Sequence, residues 1–110
     1  EIHKKRYTNG QKSHEVVMKN GIKDGLETSW QKDGRKSFEG TYKNGKEDGL
    51  FTWWDVFGNK STEGTYKNGK EDGLWTWWWY DHGTKKSEIT YKDGSIVSRK
   101  DWNKDGSLKE

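Results

Sequence analysis

Gly40-Thr41-Tyr42-Lys43-Asn44-Gly45-Lys46-Glu47-Asp48-Gly49-Leu50 recurs without a change as Gly64-Thr65-Tyr66-Lys67-Asn68-Gly69-Lys70-Glu71-Asp72-Gly73-Leu74, a spacing of 24 residues. An identical stretch at fixed spacing marks a repeat architecture, in which one supersecondary unit cannot bury its apolar side alone and stacks on its neighbours. Aligned on the Tyr of that stretch, units span residues 18–41, 42–65 and 66–90. A partial unit over residues 1–17 precedes them and a degenerate terminal unit over residues 91–110 follows. A single domain over residues 1–110 is therefore expected.

Outward from this stretch, turn signals fall on a grid: Asn9-Gly10, Asn20-Gly21, Asp33-Gly34, Asn44-Gly45, Gly58-Asn59, Asn68-Gly69, His82-Gly83, Asp93-Gly94 and Asp105-Gly106. Asn-Gly and Asp-Gly favour tight hairpin turns of type I′, whose two central residues both take positive φ. The grid predicts a meander of about eight to ten short strands. Alternation agrees, since Phe38, Gly40 and Tyr42 interleave with Ser37, Glu39 and Thr41, the period of two of a half-buried strand. A Gly every few residues disfavours helix. The expected fold is all-β, an elongated single-layer antiparallel meander or solenoid of stacked hairpins.

On the returning strands one parity carries Leu26, Thr28, Trp30; Leu50, Thr52, Trp54; and Leu74, Thr76, Trp78, with Trp102 extending the last column. Stacking in register predicts a core ladder of Trp30, Trp54, Trp78 and Trp102 beside one of Tyr42, Tyr66 and Tyr91. Gly25, Gly49 and Gly73, four residues after each turn, are expected to mark a bulge or a close backbone approach.

These residues resemble the MORN repeat family, and more closely its bacterial variant, in which units of the form Y-K-N-G-K-x-D-G-x-W-x-x-W alternate with x-x-G-x-K-x-x-E-G-x. The resemblance runs from Tyr7 to the end of the chain. It implies a strip of stacked β-hairpins. Some bacterial members are described as antitoxin or immunity proteins, and eukaryotic members are linked to scaffolding, dimerisation and phospholipid binding. The first unit departs from the pattern, with Met18 for Tyr and Glu27-Thr28-Ser29 where later units have Phe51-Thr52-Trp53 and Trp75-Thr76-Trp77.

Hydrophobic residues make up 26% of the chain and charged residues 35%, a balance that leans toward disorder, but eight Trp, five Tyr and three Phe supply the buried area that disordered segments lack. The net charge of +3 comes from interspersed signs, which argues against a nucleic-acid partner. There is no cysteine, so neither a disulfide framework nor a thiolate nucleophile. The longest apolar run, Trp77 to Tyr80, is too short to span a bilayer, and the compartment stays open: for the bacterial protein that the resemblance implies, cytoplasmic, or exported after loss of a targeting segment.

The functional hint is the other parity of the returning strands: Phe51, Trp53, Trp75, Trp77 and Trp79. If the Leu and Trp ladder fills the core, these five form an exposed aromatic patch that fits a partner. Catalytic chemistry is not expected. His3, His14 and His82 lack metal spacing, and the recurrence of Glu15, Glu39, Glu63 and Glu88 beside Lys12, Lys36, Lys60 and Lys85 reads as an exposed charge pattern. Asp101 to Gly106 opens like a calcium loop, but Glu110 stands at its tenth position, not the required twelfth. No metal or cofactor is expected. The leading expectation is a non-enzymatic scaffold that binds another protein, a toxin for an immunity-type member, or a second copy of itself; carbohydrate or cell-surface binding through Trp, and an anionic lipid surface, are the alternatives.

Overall fold

A computed structural model describes all residues, 1–110. The strands are β1 (Ile2–Arg6), β2 (Lys12–Lys19), β3 (Ile22–Trp30), β4 (Lys36–Lys43), β5 (Lys46–Glu47), β6 (Gly49–Trp54), β7 (Lys60–Lys67), β8 (Lys70–Glu71), β9 (Gly73–Trp78), β10 (Lys85–Lys92) and β11 (Ser95–Asp101). They form one open antiparallel sheet in the order β1-β2-β3-β4-β6-β7-β9-β10-β11, with the two-residue strands β5 on β4 and β8 on β7, so the chain runs as a meander in which β6 pairs with β4 and β9 with β7. The molecule measures 48 × 34 × 11 Å, a broad slab one sheet thick. Only 11 of 110 residues are buried, against 68 backbone hydrogen bonds, so the ladder carries much of the cohesion that a two-layer fold would draw from its core.

The turns fall into two classes, one along each edge of the slab. Asn20, Asn44, Asn68 and Asp93 have φ near 50° and are followed by a positive-φ Gly, the two-residue type I′ turn. The turns at Gly10, Gly34, Gly58 and Gly106 place only the Gly at positive φ, so the expectation of type I′ throughout is corrected. At Gly10, Gly34 and Gly106 the preceding Asx side chain folds back on the backbone: Asp33 Oδ1 accepts from the Arg35 amide at 3.0 Å, Asn9 Oδ1 from Gln11 at 2.9 Å and Asp105 Oδ1 from Ser107 at 2.8 Å, while at Gly58 Asp55 Oδ1 accepts from the Phe57 amide at 2.9 Å. This is the three-residue loop with a bulged glycine.

Successive hairpins are tied at the type I′ edge. The Gly45, Gly69 and Gly94 amides donate to the carbonyls of Lys23, Glu47 and Glu71 in the preceding hairpin, at 2.8, 2.9 and 3.0 Å. Register shows a two-residue insertion on the returning strand of each of the three hairpins turning at Asn20, Asn44 and Asn68: Tyr42 pairs with Glu47, yet three residues further back Glu39 pairs with Thr52. The inserted Asp48-Gly49 has its Gly at φ 120°, and Gly25 and Gly73 stand at 125° and 83°. Asp24 Oδ1 then accepts from the Asn44 amide at 3.0 Å, so the Asp-Gly of one unit caps the turn of the next.

An even insertion keeps parity, and this decides which face is packed. Phe51 and Trp53 stay on the side of Phe38, Gly40 and Tyr42, while Leu26, Leu50 and Leu74 pair with Thr41, Thr65 and Thr90 on the other. Phe51 and Trp75 are 2% and 4% exposed, whereas Leu26, Leu50 and Leu74 are 47%, 56% and 54% exposed. The expected core parity is thus inverted on the returning strands. The physical reason is glycine: a Cβ on Gly40 would lie 2.5 Å from the Phe51 ring and one on Gly64 1.9 Å from the Trp75 ring, so each ring rests on bare backbone. No such vacancy lies under the leucines.

Gly64→Ala should therefore cost about 1–3 kcal/mol through overpacking, although alanine suits a strand's backbone better than glycine. Leu74→Ser, on the exposed parity, should change stability by less than about 0.5 kcal/mol. Urea unfolding followed by tryptophan fluorescence checks both.

Candidate aromatic site

The packed face is a herringbone. Tyr42, Tyr66 and Tyr91 stand edge-on to the flat rings: Tyr42 to Phe51 is 5.4 Å at 75°, Phe51 to Tyr66 4.9 Å at 77°, Tyr66 to Trp75 4.9 Å at 82°, and Trp75 to Tyr91 6.3 Å at 81°. Edge-to-face contacts add about 0.5–1.5 kcal/mol each beyond burial. The Trp75 indole donates to the Thr65 carbonyl at 3.0 Å, which fixes that ring. Phe38 and Trp53 close one flank at 5.4 Å, and Trp77 lies 6.0 Å from Trp75, tilted by 29°.

The five aromatics expected to form one exposed patch separate into three groups. Phe51 and Trp75 are buried and form the floor, so for these two an exposed position is corrected. Trp53 and Trp77 are half-exposed and flank the short side chain of Thr62, which pairs with both. Trp79 lies beyond the end of β9, where its indole donates to the Trp102 carbonyl at 3.2 Å and Lys86, Lys104 and Lys109 approach its ring at 5.1, 5.4 and 5.9 Å. It has no part in the herringbone.

Above Thr62 an open cleft of about 430 Å³ is lined by Trp53, Tyr66, Trp75, Trp77 and Tyr91, with the Glu71 carboxylate at its rim. Sequence reasoning missed Tyr66, Tyr91 and Glu71 as parts of this site. The signal was present, because the two-residue turn Asn68-Gly69 sets Tyr66 directly opposite Glu71. Burial raises the Tyr66 phenol above its ordinary value, and Glu71 and Glu47 push it further. Tyr42, next to Glu27 and Glu47, is pushed up to about 12, by burial first and then by Glu27.

The first unit breaks the aromatic pattern. Glu27 takes the position of Phe51 and Trp75, and the strand before it offers Val16, not Gly, as its pairing partner. The Glu27 side chain, 10% exposed, is held by His14 Nε2 at 2.6 Å and by Lys23 Nζ at 2.9 Å. Burial alone would raise its pKa; the His14, Lys23 and Tyr42 hydrogen bonds and the Lys23 charge overcome that and leave it lowered.

The opposite face carries a polar, paired row at its centre, with the exposed Leu26, Leu50 and Leu74 to one side of it. Glu15, Thr28, Glu39, Thr52, Glu63, Thr76 and Glu88 follow one another in a cross-strand row, with Lys4 at one end and Lys100 at the other. Each Glu of the row has a Lys three residues earlier, Lys12, Lys36, Lys60 and Lys85, at 2.9 to 3.1 Å. Trp30, Trp54 and Trp78 pair with Lys36, Lys60 and Lys85, and Lys12 and Lys85 approach the rings of Trp30 and Trp102 at 5.5 and 5.8 Å. These tryptophans therefore alternate with lysines. No group of three or more His, Asp or Glu is placed to hold a metal. Asp101 is instead tied to Ser87 at 2.6 Å and Arg99 at 2.9 Å.

No family model matches the chain, and no curated protein matches it.

Because the folded pKa of Glu27 lies below the unfolded one, its contribution to stability is complete above about pH 4.5 and is lost as pH falls through the folded value. Glu27→Gln should flatten the fall of the urea midpoint between about pH 5 and pH 3 relative to the unmodified chain. Equal slopes would show that the carboxylate is not coupled to folding.

Proposed function

We propose that this chain is a non-enzymatic scaffold of the MORN-variant type that holds another protein on its aromatic face, in the manner of an immunity or antitoxin partner. The observation that carries the reading is a continuous run of half-exposed rings, Phe38, Trp53, Tyr66, Trp77 and Tyr91, around a buried aromatic floor, on a sheet with no second layer. Rigid Trp and Tyr in a packed setting are what binding hot spots use. A face of 48 × 34 Å offers room for the roughly 800 Å² per partner that a specific interface covers. The opposite face, with its carboxylates already paired to lysines, offers a partner less to gain.

One observation favours carbohydrate as a second reading. The cleft between Trp53 and Trp77 presents the Ser61 and Thr62 side chains and a carboxylate beside flat rings, groups that suit a sugar's hydroxyls and its apolar face.

The test compares the unmodified chain with Trp53→Ser/Trp77→Ser and with Leu50→Ser/Leu74→Ser on the opposite face. A partner identified by mass spectrometry should be retained by the unmodified chain and by the leucine variant. The tryptophan variant should lose it, by about 30-fold for each hot-spot ring worth about 2 kcal/mol. Retention by all three would overturn the reading. If no protein is retained and soluble oligosaccharides shift the indole resonances of Trp53 and Trp77, the sugar reading replaces it.

A further inference from the structure

Three positions in corresponding places tell different stories on the aromatic face. Lys23, Glu47 and Glu71 each stand opposite residue 18, 42 or 66 across a type I′ turn. In the first unit the cation Lys23 lies 2.9 Å from the Glu27 carboxylate and 4.7 Å over the Tyr42 ring. The protein thus satisfies one carboxylate and one tyrosine face with a cation of its own. In the next two units the signs change. Position 23 becomes Glu47 and Glu71, and position 27 becomes Phe51 and Trp75, so neither carboxylate has a Lys or Arg within 4.0 Å. The chain has 21 Lys and Arg, and every Glu of the opposite face has found one.

The cleft beside Glu71 repeats this imbalance. Its lining of Trp53, Thr62, Tyr66, Trp75, Trp77 and Tyr91 contains no cationic side chain, and Glu71 is its only formal charge. Trp53 and Trp77 lie one strand to either side of Thr62, so their backbones are about 10 Å apart, and a flat group can enter between them over the threonine. Several ring faces with one carboxylate at the rim attract a cation through the ring quadrupole and the charge together. A planar guanidinium fits better than an ammonium, because it stacks on indole while its fork donates to a carboxylate. The raised Tyr66 pKa, due to burial and then to Glu71 and Glu47, agrees with a negative local field.

We infer that the cleft between Trp53 and Trp77 receives an arginine side chain of the partner protein, stacked on the aromatic rings and paired with Glu71. The inference rests on the protein-binding reading and names the chemistry of its central contact. It assigns Glu71 a binding role that its place in a repeated turn motif conceals.

The experiment titrates the intact chain with the peptide acetyl-Gly-Gly-Arg-Gly-Gly-amide and with its citrulline counterpart, which keeps the shape and loses the charge. Indole proton resonances are the readout, with Trp53 and Trp77 assigned through Trp53→Phe and Trp77→Phe. The arginine peptide should shift those two signals and bind at least tenfold more tightly than the citrulline peptide. Glu71→Gln should remove most of that preference, while Glu63→Gln on the opposite face should leave it unchanged. Equal affinities for the two peptides, a preference that survives Glu71→Gln, or no shift at millimolar peptide would each overturn the inference. Partner capture that depends on Trp53 and Trp77 would still stand in those cases, so failure here is separable from failure of the protein-binding reading.

Discussion

A sheet with no second layer can bury a large ring only by laying it on its own backbone, and that requires a strand position without a Cβ. Gly40 and Gly64 supply the positions, and Phe51 and Trp75 fill them. Everything on the aromatic face follows from these two seats. The flat rings give Tyr42, Tyr66 and Tyr91 something to stand against, and the tyrosines then cover the rings from water. Glycine weakens a strand by entropy and by its missing side chain, and here the neighbouring ring occupies the volume that its own side chain leaves empty. The coupling also explains where the aromatic row stops. Toward β1 the seat is taken by Val16 and the ring by Glu27, and toward β11 the seat is taken by Ile89.

The two faces solve different problems. On one, burial comes from rings; on the other, the buried Thr28, Thr52 and Thr76 are set among carboxylates, with Thr52 donating to Glu63 at 2.9 Å and Thr28 to Glu39 at 3.3 Å. Exposed ion pairs are worth little singly, so the row of Glu, Thr and Lys works mainly by fixing register and by keeping that face wet. The edge strands carry the same logic. β1 presents Lys4, Lys5 and Arg6, and β11 presents Arg99 and Lys100, all exposed apart from their strand pairing. Repulsion between like charges discourages one open edge from adding to another.

Much of the fold was legible in the sequence because turn chemistry and period two are local. The grid of Asn-Gly and Asp-Gly gave the meander, and the alternation of Phe38, Gly40 and Tyr42 gave one face correctly. The returning strands were read on the wrong parity because Leu26, Leu50 and Leu74 are apolar and recur, and apolar recurrence alone does not say which side is covered. Half of what decides it was present: a two-residue turn at Asn44-Gly45 sets Tyr42 opposite Glu47, and every second residue from there leads to Phe51 and Trp53. What could not be read was the length of the insertion at Asp48-Gly49. An odd insertion would have turned Leu50 inward, and only the observed register shows that it is even. Trp79 looked like a continuation of the strip because it keeps the parity of Trp75 and Trp77, but β9 ends at Trp78 and the chain turns away.

The separation of charge between the faces is itself a product of the strand period. In the motif Tyr-Lys-Asn-Gly-Lys-Glu the two lysines pair with one another across the turn, as Lys67 with Lys70, and so share one face, while Tyr66 and Glu71 share the other. A lysine one residue from Glu71 cannot reach round the strand to neutralise it. The opposite face gains its neutrality from spacing of a different kind, three residues from Lys60 to Glu63, across a register shift that brings both to one side. The same 24-residue unit thus makes a face whose charges cancel and a face whose carboxylates do not. The first unit shows the remedy when no outside group is needed, with Lys23 in the glutamate's place and Glu27 in the ring's place. Where rings replaced Glu27, the cation went too, and an apolar floor with an unanswered negative rim is what remained.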